Sequence, residues 1–175
     1  MGHFIDNPIR RLIHDPLKIL SPYVCPGMTA LDIGCGMGMF SLGLARLVGE
    51  KGKVVSLDLQ ERMIRAVDRR AARASLSDRI EACVCRIDCL PIDDLAGRID
   101  FALAFYMIHE VPDMPAFIRE VHGVLAPGGR FLIAEPRAHV SEELFGETLR
   151  ALEDAGFSIE GNPRIRFSRA VLAGK

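Results

Sequence analysis

Thr29-Ala30-Leu31-Asp32-Ile33-Gly34-Cys35-Gly36-Met37-Gly38 is a short apolar run that ends in an acid and then meets glycine at alternate positions. A helical pattern follows over residues 39–48. The stretch reads as strand, tight turn, helix. Glycine admits positive φ and lets the backbone approach a ligand with no Cβ in the way. The start of the helix adds N–H groups that favour negative charge. A glycine-rich turn of this kind serves several cofactors, so the spacing has to narrow the choice. The dinucleotide fingerprint requires G-x-G-x-x-G/A. Counted from Gly34 its third small residue falls at Met39, and counted from Gly36 at Ser41, so neither start fits. The pattern present is D-x-G-x-G-x-G, with the acid two residues before the first glycine.

Four further segments follow in order. Lys53-Val54-Val55-Ser56-Leu57-Asp58 reads as a second strand ending in an acid. Arg86-Ile87-Asp88-Cys89-Leu90-Pro91 carries an Asp three residues before a Pro. Residues 100–113 read DFALAFYMIHEVPD, an apolar strand running into Tyr106, His109 and Glu110. Leu125-Ala126-Pro127-Gly128-Gly129 is a turn before another apolar run. With the glycine turn as motif I, these segments resemble the class I, Rossmann-like S-adenosylmethionine-dependent methyltransferases, with likeness to methyltransferase domains of types 11 and 25. The likeness is to that family's "GDAxxLP" segment, its fourth-strand "LHHVPD" motif and its "LkPGG" turn. It covers residues 22–136.

Composition sets bounds that agree with such an assignment. At 175 residues the chain has the size of one domain, expected to span residues 1–175, with enough apolar sequence for a full core. A net charge of −1 gives no general attraction to nucleic acid or anionic membrane. No apolar run nears the roughly 20 residues that cross a bilayer, and the first residues lack a signal-peptide core. The five cysteines are odd in number, which suits a reducing cytoplasm better than a disulfide scaffold. The expected setting is cytoplasmic, with a small-molecule substrate, no nucleic acid, no membrane, and a monomer or homodimer.

Asn7-Pro8 and Asp15-Pro16 each pair a capping residue with Pro at a first helical position. Residues 1–21 therefore read as two short helices, expected to cover the site, ahead of a core over 22–175. Strands are predicted at 29–33, 53–58, 80–85, 99–105 and 130–134, and helices at 39–48, 60–74, 113–125 and 141–155. After Gly156 two more strands are predicted, at 157–165 and 168–173. The alternation predicts an α/β fold with a doubly wound, mostly parallel sheet and helices on both faces. The resemblance makes the sheet seven-stranded with an antiparallel last strand, strands six and seven forming a hairpin at one edge.

Ligands of such sheets sit at the carboxyl ends of the strands, where Asp32, Asp58, Asp88 and Phe105 fall. The resemblance implies S-adenosylmethionine as cofactor and S-adenosylhomocysteine as product. It implies that Asp58 accepts from the ribose hydroxyls, Asp88 from the adenine amino group beside the backbone of Cys89, and that Gly34, Cys35, Gly36 and Gly38 lie along the methionine part. Asp32 would orient the loop and the ligand's ammonium, and Leu59, Met63 and Phe105 complete the surround. Asp58 and Asp88 read equally as caps of the helices that follow them. For the acceptor, Tyr106, His109, Glu135 and His139 fall after two neighbouring strands and are the candidates for catalysis, with Phe4 as a further pocket residue. His109 leads as a general base because imidazole titrates near neutral pH, although it reads also as a residue that only bonds backbone at a helix start.

No metal is expected. His109, Glu110, Glu135 and His139 lack a helical metal spacing, and Cys83, Cys85 and Cys89 read as small core residues. Arg62, Arg65, Arg69, Arg70 and Arg73 alternate with acids and read as a solvated helix face. The function read from the sequence is methyl transfer from S-adenosylmethionine to a small molecule. A protein side chain as acceptor, a cofactor-binding module without chemistry, and, more remotely, a nicotinamide-dependent reductase are the rivals.

Overall fold

The structure, a computed structural model, describes residues 13–86 and 93–175. Phe4, the expected Asn7-Pro8 helix, Asp88 and Cys89 lie outside the described residues. The chain divides into two compact units, Met1–Arg86 and Ile87–Lys175.

In the first unit, helix α1 (Pro16–Leu20) leads to β1 (Thr29–Ile33), α2 (Met39–Val48), β2 (Lys53–Asp58), α3 (Glu61–Arg73) and β3 (Ile80–Val84). The α1 start is the capped one expected: Asp15 accepts from the N–H of Leu17 and Lys18, with Pro16 at the first helical position. β1 and β2 pair in parallel, and β2 pairs in parallel with β3. The near-continuous burial of β1 and β2 follows from sheet faces covered on both sides; Leu31, Ile33, Val54 and Leu57 are core residues. α3 turns Met63, Ile64, Ala66, Val67 and Ala71 inward. Its Arg62, Arg65, Arg69 and Arg73 are exposed, as a solvated face requires. Arg70 departs from that face: its Nη1 donates to the Met37 carbonyl of the glycine turn at 2.9 Å.

In the second unit, β4 (Ile99–Phe105) precedes a single turn of tight helix (Ile108–Glu110), α4 (Met114–Val124), β5 (Leu125–Pro136), α5 (Glu142–Asp154), β6 (Ser158–Gly161) and β7 (Ser168–Gly174). Asp113 and Ser141 cap α4 and α5 through the N–H of Ala116 and Leu144. β5 runs parallel to β4, and β7 runs antiparallel to both β5 and β6. Phe101, Ile118, Phe131, Leu132 and Leu152 form the buried centre.

The seven strands follow the order β3-β2-β1-β4-β5-β7-β6. β7, last in the chain, is the antiparallel strand. Two strand lengths differ from expectation. β5 begins at Leu125, straight out of α4, because Leu125 already pairs with Ile99; the Pro-Gly-Gly turn is then a bulge, and pairing resumes at Arg130 with Phe101. β6 ends at Gly161, not at 165, since Pro163 has no N–H to donate to a ladder. β3 stops at Val84, leaving Cys85 buried just past the strand and Cys83 only partly buried. Among the described residues no helix is long and apolar enough to cross a membrane.

Gly38 shows why the turn needs glycine. Its φ is +82°, and a Cβ there would come within 3.1 Å of Val67 on α3. Gly38→Ala meets both obstacles, a left-handed backbone costing about 1–2 kcal/mol and a contact that has to give. The expected loss of stability is about 2 kcal/mol by urea unfolding, with a correspondingly lower midpoint.

Candidate active site

The turn between β1 and α2 is held in shape from three directions. Gly34, Gly36 and Gly38 all have positive φ. The Cys35 N–H donates to the Leu57 carbonyl at 2.9 Å, tying the turn to β2. The Gly36 N–H donates to Asp58 Oδ2 at 2.9 Å, while Asp58 Oδ1 accepts from the Gln60 N–H at 2.9 Å. Asp58 thus joins the glycine turn to the turn that starts α3. That is a richer role than helix capping, because one of its two bonds crosses to a different loop. Each carboxylate oxygen carries two lone pairs, so both keep capacity for a ligand donor. Leu59, next along, is 51% exposed and presents an apolar surface beside that carboxylate.

Asp32 is buried and accepts from the Ser41 hydroxyl at 2.6 Å. Burial pushes its carboxyl up from 3.8 to about 7; the Ser41 hydrogen bond offsets part of this, and the nearby Asp58 charge adds to it. The sign of the linkage follows. Between about pH 4 and pH 7 the folded chain holds a proton on Asp32 that the unfolded chain has released, so this group makes stability fall as pH rises through that window. Asp32→Asn keeps an acceptor for Ser41 and removes the titration. Its unfolding free energy should fall less steeply from pH 4.5 to 7 than that of the wild type; equal slopes in urea titrations would show that Asp32 is ionised throughout.

Cys35 turns its thiol inward, packed with Ile64 and Val67. Burial pushes that thiol far above its ordinary range, with the Asp32 and Asp58 charges adding to the effect. What Cys35 offers a ligand is its backbone. Met63 is likewise buried against the core.

In the second unit the candidates converge at the ends of β4 and β5. Glu135 is 1% exposed. Its Oε1 accepts from the N–H groups of Met107 and Ile108, at 3.1 and 2.9 Å. Its Oε2 pairs with Nδ1 of His109. The tight helical turn that carries His109 is therefore held by the same carboxylate that holds the ring. Nε2 of His109 lies 4.0 Å from the exposed Glu110. The His139 ring lies edge-on to His109, centroids 6.1 Å apart. Tyr106 shares a hydrogen bond with Ser168 through its hydroxyl, 2.7 Å, and its ring packs 4.5 Å from that of buried Phe105.

All four acceptor-side candidates are thus together in one unit. His109 bonds a buried carboxylate and does not merely cap a helix. Three participants were not singled out from sequence: Ser41, the donor to Asp32; Arg70, which binds the glycine turn; and Ser168, the partner of Tyr106. Ser41 had a signal, since a buried acid at a strand end needs a donor from the first helical turn after it. Arg70 and Ser168 had none, being 33 and 62 residues from their partners.

Residues 25–158 match a family described as a methyltransferase domain. The chain belongs to that family, the class I S-adenosylmethionine-dependent methyltransferases. Demethylmenaquinone methyltransferase of Shouchella clausii is 33% identical over 122 residues, 68% of this chain and 51% of that protein. The enzyme of the same name from a Bacillus cereus strain is 33% identical over 112 residues, 64% of this chain and 46% of that protein. The chain spans about half the length of these curated relatives. A solved S-adenosylmethionine-dependent methyltransferase from Aquifex aeolicus has a TM-score of 0.86 at 27% identity, covering 97% of this chain and 94% of that one. A methyltransferase structure from Mesorhizobium loti shares the fold, with a TM-score of 0.74 at 22% identity over 92% and 96% of the two chains.

The family's cofactor is S-adenosylmethionine, and the residues of the first unit fit it. Gly34, Gly36 and Gly38 supply the positive φ of a tight turn, and Asp58 keeps open acceptor capacity beside exposed Leu59. Nothing in that geometry favours a pyrophosphate over a sulfonium nucleoside, since two carboxylates, Asp32 and Asp58, stand next to the turn.

Proposed function

We propose that this chain methylates a small-molecule acceptor that carries an ionisable proton, with His109 as the general base and Glu135 as the residue that positions it. In this reading Asp32, Gly34, Gly36, Gly38, Asp58 and Leu59 hold the cofactor, and Asp88 and Cys89 take its adenine. When bound, S-adenosylmethionine supplies a methyl carbon already activated by its sulfonium.

The protein's own share of the chemistry is alignment, exclusion of water and management of one proton. Glu135 accepts from Nδ1–H of His109, which fixes the tautomer and leaves Nε2 with its lone pair free to take a proton from the acceptor. The two backbone N–H bonds to Oε1 hold Glu135 in place. His139, exposed and edge-on to His109, is a second polar contact for the acceptor, and Tyr106 shapes the wall.

The observation that carries this reading is the pairing of buried Glu135 with His109 at the ends of the strands that carry the family's fourth and fifth motifs. The name of the curated relatives, demethylmenaquinone methyltransferase, supports a small-molecule acceptor, as does the near-neutral charge. Transfer of a radiolabelled methyl group from S-adenosylmethionine, screened over a metabolite panel that includes hydroxylated aromatics, tests it. Label in a small product is expected. Label found only on added protein would move the acceptor to a protein side chain. Cofactor binding with no label in any fraction would mark a binding module without chemistry.

A further inference from the structure

Two aromatic residues of the second unit hold backbone conformations that side-chain-bearing residues avoid: Tyr106 at φ 64° and Phe167 at φ 61°. Phe167 is the third residue of a turn closed by the Ser168 N–H donating to the Ile165 carbonyl at 3.1 Å. Positive φ at that position calls for Gly or Asn. Burial does not explain a phenylalanine there, because Phe167 is 58% exposed. The turn is nevertheless firmly held. The Phe167 carbonyl accepts from the Arg137 N–H at 3.0 Å, and Arg137 Nε donates to the Ser168 carbonyl at 3.0 Å. The next side chain, Ser168, bonds Tyr106, the other strained aromatic. Arg137 itself lies between Glu135 and His139 in the chain. The guanidinium carbon of Arg166 sits 4.9 Å from the Phe167 ring centroid.

A local rule is broken, the exception is fixed by four hydrogen bonds, and the result is an exposed aromatic ring with a cation beside it, next to the residues that hold the candidate base. Strained residues that the surroundings over-determine cluster at ligand sites. We propose that Phe167 is a specificity-determining platform on which a flat aromatic acceptor stacks, with Arg166 favouring an acceptor that bears a negative charge. This rests on the methyl-transfer reading above and adds the chemical class of the acceptor. Stacked rings attract beyond their area burial, and the guanidinium's charge and N–H donors suit an anionic partner.

The test uses the full chain loaded with S-adenosylhomocysteine and the stable probe 1-hydroxy-2-naphthoate, with cyclohexanecarboxylate as the non-aromatic control. The chain has no Trp, so naphthoate fluorescence is read without indole background. The wild type should bind the naphthoate more tightly than the control. Phe167→Gly should weaken naphthoate binding by about tenfold, leave the affinity for S-adenosylhomocysteine unchanged, and raise the unfolding midpoint by about 2–4 °C as the strain is relieved. Phe167→Tyr should keep naphthoate binding. Naphthoate binding unchanged in Phe167→Gly overturns the proposal. So does a fall in its midpoint together with weaker cofactor binding, which would make Phe167 structural, and so does a wild type that takes up S-adenosylhomocysteine but does not prefer the naphthoate. A wild type that fails to bind S-adenosylhomocysteine contradicts the methyl-transfer reading itself.

Discussion

Replacing His109 by Gln should lower kcat by about two to four orders of magnitude, while the affinity for S-adenosylhomocysteine stays within about twofold of the wild type. Glutamine retains hydrogen-bonding groups of similar reach but takes no proton near neutral pH. The glycine turn and Asp58 lie in the other unit, so cofactor affinity serves as the internal control. Glu135→Gln should act through His109: a smaller fall in kcat, with the acid limb of the pH–rate profile moved to lower pH because the imidazolium loses its carboxylate. That shift separates positioning from mere structural support. Glu135→Leu should go further and lower stability, since the buried N–H groups of Met107 and Ile108 would lose their acceptor, at about 1–3 kcal/mol for an unsatisfied group. Single-turnover rates, calorimetry and urea unfolding on the same preparations check all three. An His109→Gln protein with wild-type kcat would remove His109 from the chemistry.

Asp58→Ala should weaken S-adenosylhomocysteine binding by at least about a hundredfold. Hydrogen bonds to a charged acceptor are worth about 1.5–3 kcal/mol each, and the ribose offers two. The same substitution also frees the N–H groups of Gly36 and Gln60, so part of the loss reflects a loosened glycine turn. Asp58→Asn is the milder change: its one oxygen keeps one of the two backbone bonds, while the two-point acceptance from ribose is lost. Both proteins should remain folded by circular dichroism. Unchanged affinity in a folded Asp58→Ala would leave Asp58 with a purely architectural role, joining the two turns.

The glycine turn was legible because its constraint is local. Positive φ at Gly34, Gly36 and Gly38 shows in the residue type, and the strands on either side show in their apolar runs. Strand β1, strand β2 and helix α2 accordingly fall where the sequence places them. Asp58 was legible as a candidate, but its two hydrogen bonds, to Gly36 and Gln60, were not, because one partner is 22 residues away. The extra length of β5 was hidden for a similar reason. A Pro-Gly-Gly turn reads as a break, and only the pairing of Leu125 with Ile99 shows that the strand has already begun. His109 and Glu135 were both candidates, but as parallel ones. Burial and the Nδ1 contact set them apart: Glu135 is buried, and His109 is held against it. The left-handed backbones of Tyr106 and Phe167 were invisible in sequence, since nothing about an aromatic residue announces positive φ.

The central claim is that this member of the methyltransferase family holds S-adenosylmethionine on its glycine turn and Asp58. Calorimetric titration of the wild-type chain with S-adenosylhomocysteine and, separately, with NAD tests it most directly. Saturable binding of S-adenosylhomocysteine at one site per chain, with no heat from NAD, is the expected result. Saturable binding of NAD with none of S-adenosylhomocysteine would contradict it.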